Sequence, residues 1–414
     1  MTEDKNRAKG RAFMRRVVVT GIGAVTSVGL GVKAFAKAMR DGVSGVSEIT
    51  SFDTTGFATN KGCEVRGFEP QQWVHRLNPA SLGRSAQFAV AAAVMAVKDA
   101  AIDRKQLSAG RCGVSIGTTD GESQVIDRLT EQAVRGGYAS ISYDLIRQVP
   151  SHHISFAISR ELELDGGAVT IPTACSAGNY AIGYAYDSIS LGDTDFMLCG
   201  GADSICRKTF AGFYRLGTIA PEVCQPFDSA RKGILTGEGA GVILLESLDS
   251  ALARGARIYA EVLGYGLTCD ADHMVAPNKS SIARCIRLAH KNAGISANDV
   301  DYVCAHGTGT VANDITEAGA IHEVFGERMP PVSSIKSMIG HTMGAASALA
   351  SIACAVAVEE GFIPPTINHR ETDPSCDLDC VPNRSREAEL RIVQNNGFAF
   401  GGNNAITVYA RYAH

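Results

Sequence analysis

The feature that most constrains the fold is an internal repeat, because the second half of the chain echoes the first in the same order. Three pairs of segments carry the repeat, namely 86–119 with 281–310, 169–191 with 332–358, and 196–204 with 397–405. The first pair predicts an apolar helix, a polar stretch and a strand ending in Gly-Thr. The second predicts a strand, small residues and an apolar helix, and the third a buried strand running into a Gly-Gly turn. Equivalent strand-to-helix corners are therefore expected to converge on one pseudo-symmetric site.

The alternation of strands with helices also indicates the fold class. Near-continuous apolar strands between helices are typical of an α/β protein with two layers of mostly parallel, buried sheet. The polar segment Leu248–Arg257 is the predicted hinge, so we expect an N-terminal half over residues 14–254 and a C-terminal half over residues 255–414. Residues 1–13 predict a disordered leader.

Two segments invite a membrane or export interpretation. Basic residues near the start are followed by VVVTGIGAVTSVGLGV, which superficially resembles a signal peptide. That run is β-branched and then broken by Gly21 and Gly23, which favours a first strand and a turn. The uncharged stretch Met343–Val358 is shorter than the ~20 apolar residues that a membrane span needs, so it predicts a buried helix and no membrane span.

Composition excludes several functional classes. The chain has 39 Lys and Arg against 43 Asp and Glu, a net charge of −4, which leaves no global electrostatic case for binding nucleic acid. Its 12 cysteines are irregularly spaced, with no CxxC pair and no histidine at zinc-finger spacing. This pattern predicts reduced, mostly buried cysteines in a cytoplasmic protein that has no disulfide framework and no metal site.

Cys175 is the first candidate for chemistry. An apolar strand runs into Thr-Ala-Cys, and Ser-Ala-Gly then opens a helix. A thiol at a helix N-terminus feels the positive end of the helix dipole and nearby N–H groups, which favour the thiolate. Small neighbours allow a substrate carbonyl to approach. On the residues alone, a nucleophile and a buried core cysteine both remain open.

Two histidines follow strands of the second half. His306 lies in YVCAHGTGT, where Thr308 and Thr310 place hydroxyls on one side if the segment is extended; a satisfied loop histidine is the alternative. His341 lies five residues after Lys336, across a glycine turn, in the slot that the repeat makes equivalent to the candidate cysteine. A histidine at a helix start has its charged form disfavoured, which predicts a neutral donor imidazole.

Five motifs occur in order, and together they resemble one enzyme family. They are TACSAG at 173–178, PFDSARKGILTGEGAG at 226–241, AHGTGT at 305–310, KSMIGHTMGAAS at 336–347 and FAFGGNN at 398–404. The chain from about Arg16 onward resembles the β-ketoacyl-[acyl carrier protein] synthases of the two-histidine type. These include elongating fatty-acid synthases and the ketosynthases of polyketide systems. The resemblance implies the thiolase fold, with two pseudo-repeated halves in an α-β-α-β-α sandwich.

The resemblance also implies the central catalytic roles. Cys175 looks like the nucleophile that accepts the acyl chain. His306 and His341 look like the pair that binds the malonyl thioester carbonyl and supports decarboxylation. The backbone N–H groups of Cys175 and Phe400 look like the oxyanion hole. The implied reaction is a decarboxylative Claisen condensation with malonyl-[acyl carrier protein], which gives 3-oxoacyl-[acyl carrier protein].

Further roles and partners follow from the same resemblance. Lys336 and Glu317 look like the family's supporting charged residues, and Thr308 and Thr310 look like contacts to the phosphopantetheine arm of the carrier. No cofactor or metal is expected, because the substrates travel on that arm. The implied partners are acyl carrier protein and a second subunit, either a copy of this chain or a chain-length-factor-like protein.

Departures from the family pattern favour a specialised pathway. Ala399 stands where elongating fatty-acid enzymes usually have glycine, which is expected to restrict the loop at Phe400. The segment GFYRLGTIA at 212–220 replaces the family's familiar segment that ends in Ala-Leu-Ser near the acyl pocket. HGTGT followed by Val-Ala-Asn313-Asp314 looks closer to polyketide or polyene ketosynthases. A housekeeping fatty-acid synthase is the alternative. A thiolase and a non-catalytic chain-length partner are further alternatives; the first uses a second Cys in the C-terminal glycine-rich loop, and the second generally lacks the nucleophile.

Overall fold

The computed structural model of the chain describes residues 14–109 and 111–413, so the leader predicted at residues 1–13 lies outside the described residues. Its strands are β1 (Val17–Thr26), β2 (Gly29–Leu30), β3 (Ser47–Glu48), β4 (Lys61–Gly62), β5 (Gly113–Gly117), β6 (Ala168–Ile171), β7 (Phe196–Asp203), β8 (Gly239–Ser247), β9 (Ala260–Cys269), β10 (Tyr302–Cys304), β11 (Val332–Ser333), β12 (Phe362–Ile363), β13 (Arg386–Glu387), β14 (Ile392–Phe398) and β15 (Asn403–Ala410).

The helices begin and end as follows. They are α1 (Val32–Asp41), α2 (Arg84–Asp99), α3 (Arg104–Ala109), α4 (Ser123–Gly136), α5 (Tyr143–Ile146), α6 (His153–Leu162), α7 (Ala177–Ser190), α8 (Arg207–Arg215), α9 (Leu248–Ala253), α10 (Lys279–Ala293), α11 (Val311–Phe325), α12 (Lys336–Ile339) and α13 (Ala346–Glu360). Short 3₁₀ turns at 174–176, 343–345 and 400–402 lie beside the candidate residues.

The order of the strands confirms the internal repeat. The main sheet path is β11-β10-β14-β15-β9-β1-β8-β7-β5-β6. Reading outward from its centre, β9 corresponds to β1, β15 to β8, β14 to β7, β10 to β5 and β11 to β6. The two half-sheets join where Val17–Val19 of β1 pair with Ala260–Val262 of β9. Each half therefore presents equivalent strand ends.

Helices complete five layers. α7 packs on β5 and β7 of the first half and on β15 of the second, and α13 packs on β14 and on β8. These two helices therefore form the middle layer. α2 and α6 cover the outer face of the first half-sheet, and α10 with α11 covers that of the second. The predicted α-β-α-β-α arrangement is confirmed.

The strand directions correct one expectation. β5 pairs in parallel with β6 and β7, and β10 does so with β11 and β14. The remaining pairs along the main path are antiparallel. The prediction of mostly parallel sheets is therefore wrong, and each half-sheet is mixed. The reason is that β14 and β15, joined by a short turn, lie side by side, whereas parallel neighbours need a long crossover.

The first strand also differs from its prediction. β1 continues through Gly21 and Gly23 to Thr26, so these glycines do not break it. They mark the line where α2 crosses the strand, since a Cβ on Gly23 would lie 1.8 Å from the Ala92 carbonyl oxygen. The glycines therefore allow the backbone of a helix to approach closely, and they are not turn residues here.

The third echo correctly matches β7 with β14 but misplaces one turn. Gly200 and Gly201 lie inside β7, opposite β8, whereas Gly401 and Gly402 follow β14 in a 3₁₀ turn. A Cβ on Gly201 would lie 2.3 Å from the Gly344 carbonyl oxygen. The first glycine pair is therefore explained by backbone approach and not by a turn.

The apolar segment near residue 350 is a core helix, as predicted. Of the 15 residues of α13, 13 are buried. The stretch Met343–Glu360 is long and apolar enough to cross a membrane, but 89% of it is buried inside the protein. A helix that is apolar all round packs in a protein core when other elements surround it. Most cysteines are buried free thiols, as expected, with Cys269 exposed.

Candidate active site

Six of the predicted site residues line one cavity of about 110 Å³ at the strand ends of both halves. They are Cys175, His306, Thr308, Thr310, His341 and Phe400. Lys336 and Glu317 do not line the cavity; both are buried behind His306. The structure therefore brings together the residues that the sequence placed at separate strand-to-helix corners.

Cys175 lies in the 3₁₀ turn between β6 and α7. Ala174 takes a positive φ of 53° immediately before it, which turns the chain sharply into the helix. Burial raises the pKa of the Cys175 thiol to about 12, against a smaller lowering by the Lys336 charge. Burial therefore opposes the thiolate that the helix N-terminus is expected to favour, because taking the charge out of water raises the pKa by more than the Lys336 charge lowers it.

The second half repeats this corner, but in a different register from the predicted one. Met343 takes a φ of 52°, equivalent to Ala174, and α13 follows it as α7 follows Ala174. The residue equivalent to Cys175 is therefore Gly344. His341 lies three residues earlier, so the expectation that it occupies the cysteine slot is wrong. His341 still lies in the same connection between β11 and α13, and its side chain lines the same cavity.

His341 is held in one tautomer. Its Nδ1 accepts the Met343 backbone N–H at 3.1 Å, which leaves the proton on Nε2. Its own backbone N–H donates to the Leu235 carbonyl, and its carbonyl accepts from Gly237. Burial and the Lys336 charge lower the pKa of the imidazole well below its ordinary value. The pKa shift agrees with the predicted disfavouring of the charged form, but its causes are burial and the Lys336 charge and not a helix start.

His306 shares this electrostatic setting. The Lys336 ammonium lies 3.4 Å from the His306 Nδ1 and donates to the His306 carbonyl oxygen at 2.5 Å. Burial, the Lys336 charge and His341 lower the pKa of His306 well below its ordinary value. Because an ammonium only donates, His306 Nδ1 accepts and Nε2 carries the proton. The two imidazole rings lie 5.6 Å apart, nearly perpendicular.

Glu317 supports the backbone under His306. One carboxylate oxygen accepts the His306 N–H and the other the Gly307 N–H, each at 2.8 Å. Asn396 and Asn313 donate their side-chain amides at 3.0 and 3.4 Å. The pKa of Glu317 is raised, because burial outweighs the lowering by the Gly307, Asn396 and His306 donors and by the Lys336 charge. Four donors fill the acceptor sites of an ionised carboxylate, so the charged form fits this environment.

The remaining cavity wall contains the glycine-rich turn. The ring of Phe400 lies 5.6 Å from that of Phe213 on α8, and Phe213 in turn lies 6.5 Å from His341. Thr308 and Thr310 share a hydroxyl hydrogen bond of 2.9 Å on another side. The Gly401 N–H donates to the Met274 carbonyl at 2.8 Å, which ties the turn to the loop before α10.

Sequence reasoning missed two parts of this wall. Phe213 enters the sequence analysis only as part of the divergent segment 212–220, and no sequence pattern in the loop from Asp270 to Pro277 predicts that it lines the cavity. Both contact Phe400 or its turn through tertiary packing between distant segments. The motif at 226–241 forms a salt-bridged turn, in which Arg231 lies between Asp314 and Asp373 at 3.4 and 2.7 Å.

The comparisons with known proteins agree along most of the chain. The model of the β-ketoacyl synthase N-terminal domain matches residues 14–251, and that of the C-terminal domain matches residues 259–370. Nodulation protein E of Rhizobium meliloti (strain 1021) is 39% identical over 95% of this chain and 99% of its own length. The 3-oxoacyl-[acyl-carrier-protein] synthase 2 of Synechocystis is 36% identical over 96% and 98%.

A solved structure extends this agreement to the whole fold. The ishigamide ketosynthase/chain length factor is 54% identical, covers 97% of this chain and 100% of its own, and superposes with a TM-score of 0.96. Three findings agree on the family. Two family models match both halves, relatives above 30% identity cover the chain, and a solved ketosynthase has nearly the same fold. The chain belongs to the β-ketoacyl synthases, and it is a ketosynthase, an acyltransferase of the thiolase fold.

Proposed function

We propose that this chain is the catalytic ketosynthase of a specialised polyketide or polyene pathway. It joins an acyl chain on Cys175 to malonyl-[acyl carrier protein] and releases carbon dioxide and 3-oxoacyl-[acyl carrier protein]. The observation that carries the reaction is the shared cavity of Cys175 and two neutral imidazoles. Likeness to a ketosynthase/chain length factor at 54% identity supports the pathway.

The first half-reaction transfers the acyl chain between sulfur atoms. The Cys175 sulfur attacks the carrier thioester carbonyl, the carbonyl–sulfur bond to the carrier breaks, and the cysteine proton passes to the departing thiolate. A thioester replaces a thioester, so the acyl group stays activated. The backbone N–H groups of Cys175 and Phe400, which line the same cavity, would bind the oxyanion of the tetrahedral intermediate.

The second half-reaction makes the carbon nucleophile. Cleavage of the malonyl carbon–carboxylate bond releases carbon dioxide and leaves an enolate on the thioester. The Nε2–H groups of His306 and His341 donate to the enolate oxygen, where negative charge develops. The enolate carbon then attacks the Cys175 thioester, and the cysteine leaves as a thiolate that is reprotonated.

The other predicted residues have supporting roles in this proposal. Burial lowers the pKa of both imidazoles and the Lys336 charge lowers it further, while Glu317 holds the His306 backbone. Thr308 and Thr310 lie on the cavity wall and contact the phosphopantetheine arm. The reaction uses no cofactor of its own. The half-boundary at residues 254–255 and a cytoplasmic location are retained as parts of the proposal.

For the second subunit we favour a chain-length-factor-like protein. The ishigamide relative is a ketosynthase/chain length factor, and this chain carries the nucleophile Cys175, which such partners generally lack. A homodimer is the alternative, and it would suit the housekeeping role that the 36% identical 3-oxoacyl-[acyl-carrier-protein] synthase 2 suggests. The β-ketoacyl synthase match favours either role over a thiolase.

Mass spectrometry of the working enzyme tests the pathway. The chain is purified with and without a co-expressed chain-length-factor-like partner, then given malonyl donor and carrier protein. We expect acyl adducts on Cys175 that retain unsaturation or keto groups, and we expect turnover to require the heterodimer. Saturated adducts on an active homodimer would instead establish the fatty-acid role. Cys175→Ala is the matched control and should carry no adduct.

A further inference from the structure

A buried hydrogen-bond network of polar side chains leads from α10 to the carboxylate beneath His306. His290 Nε2 lies 2.6 Å from Gln394 Oε1, the Gln394 amide donates to Asn396 Oδ1 at 2.6 Å, and the Asn396 amide donates to Glu317 at 3.0 Å. At most 5% of any of these four side chains is exposed. Such a fully satisfied network in a core fixes side-chain positions more firmly than isolated pairs do.

The donors in this hydrogen-bond network all point toward Glu317. Gln394 uses its oxygen toward His290 and its amide toward Asn396, so His290 Nε2 is the donor. Burial lowers the pKa of His290, which agrees with a neutral ring. Each N–H dipole therefore has its positive end toward Glu317. An aligned series of this kind stabilises negative charge at its end.

The network ends at the Glu317 carboxylate, which holds the His306 turn. Asn396 supplies the shortest side-chain hydrogen bond to Glu317, whose other main donors are the His306 and Gly307 N–H groups. A displaced carboxylate would move the backbone that carries the His306 ring. The Cys175 turn belongs to the other half of the fold. It lies against β14, but among the described residues no hydrogen bond joins Cys175 to any of these four side chains.

We propose that Gln394 is a positioning residue for the decarboxylation half-reaction. It is held by His290 and orients Asn396. Asn396 then fixes Glu317, and through it the Nε2–H of His306 that meets the enolate. This inference rests on the proposed function for its kinetic consequence, but the structural coupling between Gln394 and Glu317 stands apart from it.

The test is a double-mutant cycle read in both half-reactions. Gln394→Leu keeps the volume and removes both hydrogen bonds. We expect it to lower carbon dioxide release from malonyl carrier by up to about 100-fold and to leave Cys175 acylation near the unmodified rate. In a Glu317→Gln background the same change should lower carbon dioxide release no further, because the hydrogen-bond network acts through that carboxylate. Effects that multiply, or equal losses in both half-reactions, would overturn the proposal.

Three further measurements keep the result interpretable. Gln148→Leu replaces another buried glutamine, whose amide reaches the Ala80 carbonyl at 3.4 Å, and should not split the half-reactions. His290→Leu removes only the far donor and should give a smaller loss in the same half-reaction. If the unmodified chain releases no carbon dioxide, the proposed function fails, and the cycle is then read from unfolding free energies. Additive losses there would overturn the coupling itself.

Discussion

The turn at 399–402 should control access to the cavity, and Gly401→Ala is the cleanest perturbation of it. Gly401 takes φ 81° and ψ 0°, a left-handed conformation that costs an L residue about 1–2 kcal/mol. A Cβ there would lie 3.5 Å from the Asn403 side-chain nitrogen, an ordinary contact. The cost therefore lies in the backbone alone. It should lower the population of this turn roughly 5- to 30-fold relative to conformations without the positive φ.

The consequence is loss of order in the reaction. The turn places the Phe400 ring against Phe213 in the cavity wall. If opening of this turn admits the malonyl arm, then Gly401→Ala should admit it before Cys175 is acylated. Carbon dioxide release without an acyl primer should rise by up to the same 5- to 30-fold, relative to condensation. Labelled malonyl carrier, with and without primer, measures this ratio.

Two glycine substitutions serve as comparisons. Gly212→Ala lies in α8 next to Phe213, where a Cβ meets nothing within 4 Å, and it should leave the ratio unchanged. Gly402→Ala combines φ 74° with a Cβ only 2.5 Å from that of Asp270, so it should also lower the melting temperature. A folded Gly401→Ala protein with the unmodified ratio would refute a gating role for the turn.

Three other outcomes are expected. Ala399 is extended here, at φ −140° and ψ 154°. If the turn opens through a positive φ at this residue, which alanine opposes by about 1 kcal/mol, Ala399→Gly should raise unprimed carbon dioxide release relative to condensation. An unchanged ratio means that the turn does not open through a positive φ at residue 399. Burial raises the pKa of Cys175 to about 12, so its alkylation by iodoacetamide should keep accelerating above about pH 8.5, the ordinary thiol pKa, and a plateau there would contradict this. Arg231→Met should cost about 3–5 kcal/mol in urea unfolding because Asp314 is left buried and unpaired, whereas Arg386→Met, in an exposed pair, should cost less than about 1 kcal/mol.

The sequence could predict the halves and the corners because those features are local. Strand, small residues and apolar helix recur around Cys175 and after Val332, and the same pattern becomes β6–α7 and β11–α13. The repeat implies that the two halves share one strand order, but the order itself comes from the structure. The roles of Lys336 and Glu317 follow only from the family resemblance, because nothing in their local pattern shows what they contact.

The sequence predictions that failed concern features that depend on backbone geometry or on contacts between distant segments. Ala174 and Met343 carry positive φ although neither is glycine, so the register that sets Cys175 opposite Gly344 was hidden. Glycines in β1 and β7 were interpreted as turns, whereas close packing of helices and neighbouring turns explains them. The thiolate expectation considered the helix dipole and not the depth of burial. Phe213 reaches Phe400 only through tertiary packing.

One comparison of half-reactions tests the central claim most directly. Three proteins, the unmodified chain, Cys175→Ala and His341→Ala, are each given acyl carrier and malonyl carrier separately. Intact-protein mass spectrometry follows the acyl adduct, and trapped label follows carbon dioxide. We predict that Cys175→Ala forms no adduct, and that His341→Ala acylates normally but releases carbon dioxide about 100- to 1000-fold more slowly, the usual cost of one oxyanion donor. An adduct on Cys175→Ala, or undiminished release by His341→Ala, would contradict the account.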